Sequence, residues 1–122
     1  VDFSSYVLTH KERLLEIREF LMSKIPDDPH AMTEDLQKSN VHFASLNEIR
    51  PYAEAFLAAA EATAYEEMEG NVTEKRIKLA GKCLEQRKFA SLMERRCKVI
   101  DKRIESTRTL ISAAKEERRG NR

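Results

Sequence analysis

Glycine and proline are scarce in this chain, three of each in 122 residues. A β-rich domain needs more turn residues and more β-branched residues than this, so the supply argues for helices. Three isolated glycines cannot build a glycine-rich phosphate loop. No run of 18 apolar residues occurs, so no segment reads as a membrane-spanning helix. The opening residues, Val1 to Ser5, lack the basic-then-apolar pattern of a signal peptide. There are two cysteines, Cys83 and Cys97. Fourteen residues apart on one helix they sit about 21 Å from each other, out of disulfide reach. They read as small apolar residues in a reducing cytoplasm. Asn71-Val72-Thr73 matches a glycosylation acceptor that such a location leaves unused.

Catalytic and metal-binding signatures are equally thin. His10, His30 and His42 fall on different segments, without the paired spacing that zinc hydrolysis requires. Asp27, Asp28 and His30 share a loop that reads as a solvated turn. Neither cysteine belongs to a Cys-x-x-Cys pair. The expectation is a protein that is not an enzyme and holds no cofactor or metal.

What the chain does have is charge, 35% of its residues, and the charge is segregated. Residues 1–71 carry six bases and fourteen acids, net −8; residues 72–122 carry sixteen and seven, net +9. Such asymmetry signals a partner unless the two halves neutralise each other within the molecule.

Periodicity supplies the architecture, a single all-α domain over residues 1–122 with helices expected at about 9–25, 33–46, 48–69 and 73–118. Thr9 with Glu12 fits a capping box for the first helix, and Leu14, Ile17, Leu21 and Ile25 give its apolar face. Pro26 and Pro29 end it. Thr33, followed by Glu34 and Asp35, reads as a second helix start. Pro51 suits the first turn of a third helix, or a kink. That helix is rich in alanine, and its acids have no base among them between Pro51 and Gly70. Gly70-Asn71 is the turn, and Thr73 the cap of the long C-terminal helix.

In that last helix Met93, Cys97, Ile100, Ile104, Thr107 and Ile111 recur at alternating spacings of four and three, the seam of a coiled-coil-like packing. Phe89, Leu92 and Val99 widen it. Gly81 and Gln86 allow a kink or a change of partner at 81–86. An unbroken helix over 73–118 would be about 69 Å long, whereas a compact domain of this size is only about 35–40 Å across. Either the helix bends back or its seam is covered by another copy or another protein; the second is the expectation, as part of a helical bundle whose third and fourth helices form an antiparallel hairpin.

Opposite the seam, Lys88, Arg95 and Lys102 fall in one row at steps of about 10.5 Å, with Arg96, Lys98 and Arg103 flanking it. From Lys75 to Arg103 there are eleven bases against three acids, an excess that costs repulsion unless an anionic partner relieves it. No compact duplex-reading motif is evident, and Phe89 is the only aromatic on this helix. Any nucleic acid would be held mainly through its phosphates. The alternative partner is an acidic protein surface met by the same basic helix.

The lead-in, the helix ending near Gly70 and the closing run Arg103-Ile104-Glu105-Ser106-Thr107-Arg108-Thr109-Leu110-Ile111-Ser112 resemble, in pattern over about residues 50–118, small helical phage proteins. Among these are recombination mediators that load a recombinase on single-stranded DNA. The resemblance implies an oligomeric, non-catalytic, DNA-binding accessory. The strongly acidic first half departs from that pattern, and no functional residue is carried over.

Overall fold

A computed structural model describes residues 1–120 as four helices, α1 (Phe3–Met22), α2 (Pro29–Glu67), α3 (Val72–Leu79) and α4 (Leu84–Gly120). No strand occurs among the described residues. α2 and α4 form the antiparallel hairpin expected of an all-α bundle, and α1 lies along both.

Three of the four starts have a local cause. Asp2, Asp28 and Asn71 cap α1, α2 and α3, their side chains accepting from the backbone N–H groups of Ser5, Ala31 and Glu74. The Thr9–Glu12 box is therefore not the start of α1; Thr9 sits mid-helix and donates to the Ser5 carbonyl. Pro29 takes the first turn of α2, where its missing N–H costs nothing, and Thr33 lies inside that helix. Likewise Thr73 gives way to Asn71 as the cap of α3. Gly70 makes the α2–α3 turn at φ 117, a conformation that suits glycine.

The largest departure from the expected boundaries is α2. Segments 33–46 and 48–69 are one helix of 39 residues, about 58 Å long. It runs through Pro51, which is exposed, although proline there removes the hydrogen bond to the Asn47 carbonyl. Continuity comes from the buried face. Met32, Asp35, Ser39, His42, Leu46, Ile49 and Ala53 are its buried residues, alternating three and four apart, a full seam against α4.

The long C-terminal helix is interrupted where 81–86 allowed it. α3 buries no residue, and the chain turns through 80–83 with Cys83 at φ 57, a left-handed conformation that is strained for a non-glycine residue. Arg87 secures the break, donating to the carbonyls of Ala80 (3.0 Å) and Leu79 (3.4 Å) and pairing with Glu61 of α2 at 3.2 Å.

The core joins Ile17 of α1, Leu46, Ile49 and Ala53 of α2, and Phe89, Met93, Cys97 and Ile100 of α4. Phe3 packs edge-on against Phe56 and Phe89. Two polar groups within this interior, Ser39 Oγ and His42 Nδ1, lack a partner among the described residues. His42 leans on Phe20, with ring centroids 4.8 Å apart. Burial, aided by the charges of Arg13 and Lys38 and opposed by Glu16, lowers its pKa. Folding thus favours the neutral ring. Above the unfolded-state pKa of about 6.5 the fold gains its full stability; below it only the unfolded chain takes up the proton, and stability falls until the folded ring also protonates. The melting temperature should drop between pH about 7 and about 5.5, and His42→Phe should flatten that slope. An equal slope in the variant would place the titration elsewhere.

Candidate functional site

The basic residues singled out from the sequence do not stay together. Arg103 is a correction: it points inward, 8% exposed, and does not face a partner. Its Nη2 and Nε donate to the Asp35 carboxylate at 2.6 and 3.1 Å, its Nη1 donates to the Ser23 carbonyl at 2.6 Å, and the guanidinium lies over Phe20 at 4.4 Å. Thr107 donates to the Arg103 carbonyl. One side chain thus joins the end of α1, the start of α2 and the middle of α4. Lys98 is exposed but satisfied, 3.3 Å from Glu94 on its own helix.

The seam is the second correction. Met93, Cys97, Ile100, Ile104 and Thr107 are buried by this chain alone, because α2 presents a matching seam and α1 closes the third side. A second copy is not needed to hide them. Only Ile111, beyond the reach of α1, is half-exposed. Val99 proves to be outside the seam at 50% exposure.

Lys88, Arg95, Arg96 and Lys102 remain, and two residues that sequence reasoning missed join them. α1 lies beside α4 so that Lys11 and Lys88 face each other across a notch of about 730 Å³, with Phe3, Val7, Leu8, Phe89 and Leu92 among its lining and Glu85 at its edge. Along the same junction burial, joined by the charges of the nearby Arg18 and Arg95, pushes the Arg96 guanidinium below the ordinary arginine value. Arg96 Nε is buried and has no hydrogen-bond partner among the described residues. Among the described residues, none of Lys11, Arg18, Lys88, Arg95, Arg96 and Lys102 forms an ion pair.

The signal for Lys11 and Arg18 was present in the sequence. Leu8, Leu15 and Met22 repeat every seven residues off the core stripe of α1, and Lys11 and Arg18 repeat at the same interval beside them. Such a row has a purpose only if something lies along it.

This face can hold anions by charge and by guanidinium donors. No group of three His, Cys, Asp or Glu is placed to hold a metal ion among the described residues. Asp28, one of the loop residues considered for a cation, caps α2. No described helix is long and apolar enough to cross a membrane. Comparison with protein-family models, with curated proteins and with solved structures finds no match to this chain.

Proposed function

We propose that this chain is a non-enzymatic accessory protein that binds nucleic acid, preferentially a single strand, through the phosphate backbone, using the face shared by α1 and α4. One observation carries the reading. Among the described residues, six bases from two helices converge on one face without a carboxylate partner, and Arg96 is held among like charges with its Nε unmatched. Like charges in such proximity are unfavourable, and a polyanion relieves them while releasing its own counterions. Lys88, Arg95 and Lys102 give α4 a rail of bases at intervals of about 10.5 Å, and Lys11 and Arg18 give a second rail across the groove. Backbone contact of this kind carries little sequence preference. The pattern-level likeness to recombination mediators points the same way.

Fluorescence anisotropy of labelled single- and double-stranded oligonucleotides across a salt series tests this. Four to six phosphate contacts give a log–log salt slope of about −3 to −4 on a single strand. Arg95→Glu with Lys102→Glu should weaken binding about a hundredfold at low salt, since each reversal replaces a phosphate contact by repulsion, and should leave the circular dichroism unchanged. No binding at about 50 mM salt, or binding indifferent to salt, would falsify the proposal.

A second reading has its own support in Leu8, Leu15 and Val99, which are exposed among those bases. Phosphates do not need apolar contact, whereas an acidic amphipathic protein surface does. Leu8→Ser with Leu15→Ser weakens a protein contact and leaves a purely electrostatic one in place.

A further inference from the structure

We infer that the anion-binding face between α1 and α4 is masked, in the absence of nucleic acid, by the acidic outer surface of α2 from a second copy of this chain. The inference rests on reading that face as an anion site and names how it is regulated.

The face has three properties that its occupant must match. It is basic, it is apolar along one bank, and it is a groove between two helices. On α1 the row Leu8, Leu15 and Met22 remains 70%, 44% and 75% exposed, a high apolar exposure for three residues in line. Across the groove Val99 continues from Leu92 at the same seven-residue interval. Leu8 to Met22 covers about 21 Å of helix rise, so the groove accommodates a helix of four turns or more.

The outer face of α2 meets each requirement. Ala44, Glu48, Ala55, Ala59, Ala62 and Glu66 lie along it and all are exposed. Neither Glu48 nor Glu66 enters an ion pair among the described residues, so their charges are available to a neighbour. They are about 27 Å apart along the helix, enough to span the roughly 21 Å from Lys88 to Lys102. Between them Ala55, Ala59 and Ala62 let a facing helix approach closely and leave room for protruding leucines, while the exposed Pro51 and Tyr52 stand next to Glu48. Small meets large, acid meets base, and a ridge meets a groove.

The two faces are different surfaces of one molecule, so the contact is heterologous and repeats from copy to copy into a ring or an open chain. Nucleic acid competes for the bases, so binding it loosens the assembly. The buried seam takes no part.

Sedimentation of the chain free of nucleic acid, over a range of concentrations and at low and high salt, reads this directly. The expected result is association that grows with concentration and fades with salt. Glu48→Lys with Glu66→Lys should weaken it about tenfold or more, and so should Arg95→Glu with Lys102→Glu, because each sets like charges against each other. Mixing the two double variants should restore association as an alternating assembly, since the reversed α2 of one variant meets the reversed groove of the other and the unaltered α2 of the second meets the unaltered groove of the first. An added single-stranded oligonucleotide should dissociate the wild-type assembly. The inference is overturned by a wild-type monomer at all concentrations, by association that survives either double variant, or by a mixture that stays monomeric. A monomer that still binds the oligonucleotide defeats only the masking; an assembly that ignores the oligonucleotide defeats only the nucleic-acid reading.

Discussion

Arg103→Ala should lower the unfolding free energy by about 3–5 kcal/mol, the usual cost of breaking a buried ion pair from one side. A domain of this size has about 5–15 kcal/mol in total, so the loss is a large share of the fold and follows from what is stranded. Asp35, 6% exposed, would be left buried without the two donors it now accepts from at 2.6 and 3.1 Å. The Ser23 carbonyl would lose its 2.6 Å donor as well. Asp35→Ala alone should cost a similar amount, by leaving the guanidinium unpaired. Arg103→Met together with Asp35→Leu should recover most of the loss, because an apolar pair of similar volume removes the desolvation of both charges. Urea denaturation of the four proteins measures each of these differences. If Arg103→Ala unfolds at the wild-type midpoint, the side chain is not the clamp between α1, α2 and α4, and an outward role for it returns.

That clamp also explains how much could be read from the chain. The C-terminal seam was legible because Met93, Cys97, Ile100 and Ile104 are apolar and evenly spaced, and period alone identifies such a face. The partner seam on α2 was not, because Asp35, Ser39 and His42 occupy three of its positions. Polar residues there look like a break in the pattern, and Pro51 strengthens that impression, so one helix reads as two. Arg103 looked like surface because the carboxylate that buries it is 68 residues away. No local rule reveals such a pair. On α1, the core stripe through Ile17 was read correctly, but Lys11 and Arg18 became meaningful only once α1 lay beside α4. The basic face is a property of two helices, and half of it was visible in one.

Val99 and Ile100 are adjacent in sequence, and aspartate at each should give opposite results. Ile100 is fully buried and Val99 is 50% exposed. An ionised carboxylate at Ile100 would sit among Ile17, Leu46, Met93 and Cys97 with no partner. Its desolvation, or the pKa shift that avoids it, adds to the lost packing of the isoleucine, itself about 2–5 kcal/mol on truncation. Together these reach the whole stability of a small domain, so Ile100→Asp should give an unfolded chain at every concentration. Ile100→Ala should fold with a stability lower by the truncation cost alone. Val99→Asp should change stability by no more than about 0.5 kcal/mol, as exposed substitutions do. It should still weaken any contact made across the α1–α4 groove, since it places an acid among Arg95, Arg96 and Lys102. Circular dichroism with sedimentation separates the cases. Were the seam an interface between copies, Ile100→Asp would remain helical and merely dissociate, and that single result would return the seam to the surface.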